Sequence, residues 1–246
     1  MSKDKQLEGR IALVTGASRG VGYQAALGFA RAGAHVIALA RTVGGLEELD
    51  DEINAAGGSA TLVPLDITDF DALDRLGATI YERWGKLDVL LGNAGSLGVL
   101  TPLAQNKPSV FEEVFAVNVT ANYRLIRSLD PLLQAADHGR AIFMSSGAAR
   151  SPRPFVGPYS ASKAALEVLV HTYGRENRLT SVRANLVDPG TLRTKMRAQY
   201  NPGENPEDVT PPEAIVPTLI DLTSPDLSEN GRIYDFPNKC WVAETA

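Results

Sequence analysis

The chain has 246 residues, a formal net charge of −5 and an apolar fraction of 44%. That length suffices for one large α/β domain over residues 1–246, and the even mixture of acids and bases excludes the clustered Lys and Arg of a nucleic-acid surface. No apolar run reaches the ~18–20 residues that span a bilayer, and the polar start Met1–Gln6 lacks the apolar core of a signal peptide, so a cytoplasmic protein with no membrane partner is expected.

Short apolar, β-branched runs alternate with longer segments of helical period. Ile11–Thr15 reads as the first strand, followed by a helix over Val21–Ala32 that stops at Gly33. His35–Ala40 is the second strand, and Gly44–Ala56 is a helix ended by Gly57-Gly58. The strands Ala60–Leu65 and Leu87–Leu91 flank a helix over Asp69–Trp84. A long helix is expected over Ser109–Ala136, then the strand Ala141–Ser145, the helix Pro158–Arg178 and the strand Val182–Val187. Short helices near Leu192–Tyr200 and over Pro212–Thr223 precede a last strand, Arg232–Phe236. The strands are apolar on both faces, as strands covered by helices on both sides must be. The expected fold is therefore Rossmann-type α/β, a doubly wound, seven-stranded parallel sheet with helices on both faces. The proline-rich stretch Asn201–Pro212 interrupts the pattern and reads as a functional flap.

The lone Cys240 excludes an internal disulfide and reads as a small hydrophobe. His35, His138 and His171 lie far apart with no metal-ligand spacing, so no metal is expected.

Two regions carry chemistry. The first strand runs into Thr15-Gly16-Ala17-Ser18-Arg19-Gly20-Val21-Gly22 and then a helix. A glycine-rich turn at that junction offers backbone N–H groups and a positive dipole end to a phosphate. Strand two ends at Ala40-Arg41, where an acid would select NAD and a basic residue accommodates the 2′-phosphate of NADP. Arg41, with Arg19 reaching the same phosphate, points to NADP more than NAD. Asp66, in Leu65-Asp66-Ile67-Thr68, is placed either to bond an adenine amino group or to cap the next helix, for which Thr68 and Asp69 are also candidates.

The second region holds Tyr159 and Lys163, four apart and so on one helix face, with Ser146 upstream. A free phenol has a pKa near ~10, and a nearby cation favours the phenolate. The pair suits proton transfer to or from a carbonyl or hydroxyl oxygen. Alone it is a weak signal, because such pairs are common on exposed helices.

Taken together, these motifs resemble the classical short-chain dehydrogenase/reductase family over nearly the whole chain, in particular small bacterial members of unassigned substrate. Thr15–Gly22 is similar to the family's cofactor turn, and Asn93-Ala94-Gly95 to its motif after strand four. Asn118, Ser146, Tyr159 and Lys163 match its catalytic four. Asn185 and Pro189-Gly190-Thr191-Leu192-Arg193-Thr194 resemble the segment that borders the nicotinamide. Between the neighbouring serines, Ser146 is chosen by its spacing to Tyr159, and Ser145 is expected to point to the other side of the strand end.

The resemblance implies an NADP-dependent oxidoreductase that moves hydride between the nicotinamide and a carbonyl or secondary alcohol. Tyr159 would be the general acid/base, with its pKa lowered by Lys163, which also bonds the nicotinamide ribose. Ser146 would bond the substrate oxygen, and Asn118 would hold a relay water. Cofactor contacts are implied for Gly16, Ser18, Arg19, Gly20, Val21, Gly22, Arg41, Asp66, Ile67, Asn93, Ala94, Gly95, Tyr159, Lys163, Pro189, Gly190, Leu192 and Thr194. The partners implied are a small-molecule carbonyl or alcohol substrate and a second copy of the chain, as a homodimer or homotetramer paired through the helices Ser109–Ala136 and Pro158–Arg178. Ser96–Gln105, Ala148–Pro158 and Met196–Pro211 would surround the substrate. Arg150 and Arg153 would suit an anionic or carrier-linked substrate, although such arginines are more often surface charges. Gly231–Pro237 departs from the Asp-Gly-Gly stretch of many relatives. The alternatives are a 3-oxoacyl-thioester reductase, a cofactor-binding regulatory protein on the same fold, and an extended-branch epimerase or dehydratase, whose longer C-terminal substrate domain this chain lacks.

Overall fold

A computed structural model describes residues 5–243. Among these described residues eight strands form one sheet in the order β3-β2-β1-β4-β5-β6-β7-β8. They are β1 (Ile11–Thr15), β2 (His35–Ala40), β3 (Ser59–Pro64), β4 (Val89–Gly92), β5 (Arg140–Met144), β6 (Arg183–Asp188), β7 (Ile233–Asp235) and β8 (Cys240–Trp241). The helices are α1 (Gly20–Arg31), α2 (Val43–Ala55), α3 (Phe70–Trp84), α4 (Pro108–Phe115), α5 (Ala121–Ala135), α6 (Gly157–Glu176), α7 (Lys195–Tyr200) and α8 (Val216–Asp221).

The first seven strands are parallel, as expected, and the order reverses between β1 and β4. The expected count of seven is corrected by β8, which pairs antiparallel with β7 through Tyr234↔Trp241 and Asp235↔Cys240. Asp235 makes this hairpin by accepting bonds from the backbone and side-chain amides of Asn238 at 3.0 Å. Two residues are too short a period to read from sequence. Cys240 on this edge is exposed, so it is not packed as a small hydrophobe.

Alternation along the strands divides the core. Ala12, Val14, Val36, Ala38, Leu91, Ile142 and Val187 face α1 and α2, meeting Ala25, Phe29, Leu46 and Leu49. Leu13, Ile37, Leu39, Leu90, Phe143 and Leu186 face the other way, meeting Leu73 of α3, Leu125 and Leu129 of α5, and Leu166 and Val170 of α6. Strands buried on both faces need apolar residues at every position, which is why the pattern was so visible.

The expected helix over Ser109–Ala136 is split. Residues Ala116–Thr120 form a π-turn between α4 and α5. Such single-turn π segments concentrate at functional sites, and this one carries Asn118. The stretch Pro212–Thr223 is likewise divided, into a 3₁₀ turn over Pro212–Ile215 and α8. Of the three candidate caps before α3, Asp69 is the one used, accepting from Ala72 N at 3.0 Å. Among the described residues no helix is long and apolar enough to cross a membrane.

Candidate active site

The carboxyl ends of the parallel strands converge on one edge, where the order reverses. At β1 the chain turns through Gly16 (φ +68°) and Gly20 (φ +59°), left-handed conformations that suit glycine. A Cβ on Gly22 would stand 2.3 Å from the Gly16 carbonyl oxygen, so only glycine lets α1 start this close to the strand. Arg19 sits at the cap position of α1 without a side-chain cap bond, and the first turn holds no acid. The N–H groups and dipole of α1 therefore face outward uncancelled. These features fit a dinucleotide phosphate.

The turn is braced from β4. Thr15 Oγ1 accepts from the backbone N–H groups of Asn93 and Ala94, both at 3.0 Å, and Asn93 Nδ2 donates to Thr15 O at 2.9 Å. The motif match drew attention to Asn93-Ala94-Gly95 but not to the Thr15 hydroxyl, whose place in a β-run hid it. Thr194 approaches from the far side, its Cγ2 3.6 Å from where a Cβ on Gly20 would lie. Arg41 and Arg19 are both exposed at this edge. Arg41 Nη1 pairs with Asp66 Oδ2 at 3.4 Å. The other Asp66 oxygen accepts from the Thr68 N–H (2.9 Å) and hydroxyl (2.7 Å), which holds the carboxyl below its ordinary value against the effect of burial.

Not every expected contact residue presents its side chain here. Leu192 is buried in the α1–α2 core and Ile67 in the opposite core, leaving only their backbones for a ligand. Asn185 is buried in β6, donating to Glu229 O at 2.7 Å and accepting from Arg232 N at 2.9 Å. Its work is to tie β6 to the segment before β7.

The reactive cluster lies at the ends of β5 and β6 and the start of α6. Ser146, two residues past β5, accepts from Ala148 N at 3.2 Å and is close enough to the Tyr159 phenol to influence its ionisation. Tyr159 is in the first turn of α6, and Lys163 follows one turn later, its Nζ 5.8 Å from the phenol ring centre. That ammonium is buried and donates to Met144 O at 2.7 Å. A Cβ on Gly95 would stand 3.4 Å from Asn118 Oδ1 and 3.7 Å from Lys163 Nζ, so these groups close on one point. Asn118 is buried, and its amide is committed. Oδ1 accepts from Ser96 N at 2.8 Å, while Nδ2 donates to Ser96 O and Ser162 Oγ, both at 2.9 Å. Ser162 in turn donates to Tyr159 O at 2.7 Å.

The electrostatics differ from expectation. Burial pushes the Tyr159 phenol above its ordinary value; Ser146 pulls it down, and the Asp188 charge pushes it up. Lys163 is itself driven down by burial to about 8, with Glu167 opposing the fall. Desolvation thus disfavours the charged form of each group.

Behind the cluster lies a network that sequence reasoning missed. Ser145 points inward and donates to Glu167 Oε1 at 2.6 Å. Arg150 joins Glu167 on α6 to Asp188 at the end of β6, one guanidinium nitrogen on each carboxylate. Asp188 Oδ1 also accepts from Gly190 N at 3.1 Å. Arg150 is thus a partly exposed arginine whose guanidinium is held by two carboxylates rather than a free substrate anchor. The available signal was the i, i+4 spacing of Lys163 and Glu167. The stretch Asn201–Pro212 is latched by its own ion pairs, Arg197 to Glu204 at 2.5 Å and Arg193 to Glu207 at 3.0 Å. Among the described residues no group of three or more His, Cys, Asp or Glu is placed to hold a metal ion.

A doubly wound sheet with its glycine turn at the reversal point is the layout of a Rossmann-type dinucleotide fold. Residues 10–205 match the family model of the short chain dehydrogenases, and the chain belongs to that family of NAD(P)-using oxidoreductases. It is 36% identical over 237 residues to the Uncharacterized oxidoreductase YciK of Escherichia coli K12, covering 95% of this chain and 94% of that protein. A short chain dehydrogenase structure from Pseudomonas syringae superposes with a TM-score of 0.92 at 39% identity, covering 96% of this chain and 97% of that one. A Shigella flexneri short chain dehydrogenase solved with NADP gives a TM-score of 0.91 at 35% identity, covering 95% and 99%.

Proposed function

We propose that the chain is an NADP-dependent oxidoreductase acting on a carbonyl or secondary alcohol, with Tyr159 as general acid/base. The observation that carries this reading is the convergence of Ser146, Tyr159 and Lys163 at the strand edge that also bears the glycine turn. When bound, NADP(H) supplies a hydride to the carbonyl carbon or removes one from the carbinol carbon.

The protein's own groups handle the oxygen. Tyr159 gives its phenolic proton to the substrate oxygen in reduction and takes one back in oxidation. A phenol held above its ordinary pKa is protonated at neutral pH, the form reduction needs. Ser146 donates to the same oxygen and stabilises charge developing there. Lys163, still charged at pH 7, stabilises the phenolate left after proton transfer. Asn118 fixes the π-turn against the Ser96 backbone and, through Ser162, the first turn of α6. Both of its amide hydrogens are used, so a relay water would bind as a donor, to the second lone pair of Oδ1 or to the backbone carbonyl where Asn122 Nδ2 already donates at 2.9 Å.

Arg19 and Arg41, with Ala40 where an NAD-selecting acid would stand, support NADP. So does the NADP carried by the Shigella relative. Exposed Phe111, Tyr123 and Val168 on α4, α5 and α6 support pairing with a second copy through these helices.

The test is the rate of NADPH oxidation, against NADH, over ketones, aldehydes, quinones and 3-oxoacyl thioesters, with Tyr159→Phe alongside. Turnover with NADPH is expected, reduced about 10²-fold or more in the variant, with NADPH binding near wild type. Full activity in Tyr159→Phe would overturn the assignment.

A further inference from the structure

Three segments meet around the start of α6. Thr101 N donates to Phe155 O at 3.1 Å, joining the loop after β4 to the loop after β5. Gln199 Nε2 of α7 donates to Gly98 O at 3.0 Å, adding the segment after β6. Leu103 lies over the first residue of α6, its Cδ1 2.8 Å from where a Cβ on Gly157 would stand. Tyr159 is two residues further on.

These loops present apolar side chains to solvent. Leu103 is 66% exposed, Phe155 55%, Val99 54% and Leu100 36%. Such side chains crowded together on a surface mark a binding site. Phe155 adds a second sign. Its φ of +70° is left-handed, a conformation that a bulky aromatic rarely adopts and that persists where the surroundings impose it. Here the Thr101 bond holds the Phe155 carbonyl, and the result is a phenyl ring held in water four residues before Tyr159.

Three arginines on these segments are spent on acids. Arg150 is turned inward to Glu167 and Asp188, while Arg193 and Arg197 are paired with Glu207 and Glu204. Arg153 is exposed and remains the natural anchor for any anionic substrate. We propose that the site takes a carbonyl compound whose body is uncharged and apolar, gripped between Leu103 and Phe155. This rests on the reading of Ser146 and Tyr159 given above, and it replaces the anionic substrate that Arg150 suggested.

The experiment compares kcat/KM, at saturating NADPH, for alkyl and aryl methyl ketones against keto acids of equal length bearing a terminal carboxylate. Wild type, Phe155→Gly, Leu103→Ala and Arg153→Glu are measured together. The apolar ketones are expected to be preferred tenfold or more. Phe155→Gly and Leu103→Ala should raise KM for them about tenfold with kcat little changed, and Arg153→Glu should leave that KM alone. Phe155→Gly should also melt no lower than wild type, because glycine accepts the left-handed backbone. Ligand-observed NMR of an aryl ketone with the Tyr159→Phe variant and NADP⁺ reports the grip without turnover. The ketone signal should disappear in the Phe155→Gly, Tyr159→Phe double variant. A preference for the keto acids that Arg153→Glu abolishes would overturn the proposal, as would an aryl ketone that fails to bind or binds equally without Phe155. Loss of Tyr159 function with binding intact, or the reverse, separates the two readings.

Discussion

Lys163 and Glu167 stand one turn apart on the same face of α6, and the carboxylate works against burial to keep the ammonium protonated. Burial draws Lys163 from 10.5 to about 8, so a proton is held less tightly in the folded chain than in the unfolded one. The folded state is therefore penalised while Lys163 is charged, and the penalty fades as pH rises from about 8 towards 10.5.

Lys163→Met should consequently be more stable than wild type near pH 7, by an amount bounded on the order of 3 kcal/mol. The gain should shrink above pH 8 as the wild-type lysine loses its proton. Turnover should fall about 10²-fold or more. Thermal melts of both proteins from pH 6 to 10 check the sign, and a variant less stable at every pH contradicts it. Glu167→Gln should draw Lys163 lower still, visible as a lower alkaline pKa in kcat against pH.

Arg150 neutralises two carboxylates, one of which, Asp188, raises the Tyr159 phenol. Arg150→Gln leaves the buried carboxylates of Asp188 and Glu167 without that cation. Stability should drop by about 1–3 kcal/mol, less than for a fully buried pair because the guanidinium is partly in water. The sign with pH follows from the carboxylates. Glu167 is already raised by burial and will rise further, so the folded state binds more protons than the unfolded state and loses stability as pH climbs through that window. The loss should be larger at pH 8 than at pH 5. The alkaline limb of the pH–rate profile should move upward, and adding Asp188→Asn should bring it back. A profile that stays fixed in Arg150→Gln would reduce the network to scaffolding.

The sequence made most of the fold legible because β1, β2 and β5 are apolar at all but one position each and flanked by glycine stops. It could not show the π-turn at Asn118, since one extra residue per turn leaves the apolar spacing of α4 and α5 nearly intact. Nor could it show β8, whose two residues have no periodicity. The positions of Tyr159, Lys163 and Ser146 were readable as a motif, whereas their electrostatics were not. Those depend on the burial of Lys163 and on Asp188 brought in from β6, contacts that spacing along the chain does not encode. Arg150 illustrates the same limit, because an arginine in a loop looks solvated until its two acids are seen.

Cofactor choice should respond to the arginines at the β1 and β2 ends. Arg41→Ala and Arg19→Ala each remove a cation from the expected 2′-phosphate position. Each should raise KM for NADPH about tenfold, equivalent to ~1.4 kcal/mol, and change KM for NADH little. Arg41→Ala also frees Asp66, which lies 3.4 Å from it and would then repel a 2′-phosphate. The Arg41 variant should therefore discriminate against NADPH more strongly than the Arg19 variant. Equal losses with both cofactors would place these arginines on the shared pyrophosphate instead.

Thr15→Val tests how the cofactor turn is held. Valine keeps the shape and β preference of threonine but removes the oxygen that accepts from Asn93 N and Ala94 N. Asn93 N keeps its second acceptor, Leu91 O at 3.1 Å, so Ala94 N is the donor left without a partner. Leaving one such donor unpaired costs about 1–3 kcal/mol, and relaxation of the β4 loop will recover part of it. A loss of about 1–2 kcal/mol in denaturant unfolding is expected. NADPH affinity should fall as well, because Asn93 and Ala94 pack directly on Gly16. Thr15→Ser keeps the hydroxyl and should retain both properties apart from one lost methyl group, ~1 kcal/mol at most. If serine and valine weaken the protein alike, the methyl contact rather than the hydroxyl holds β1 to β4.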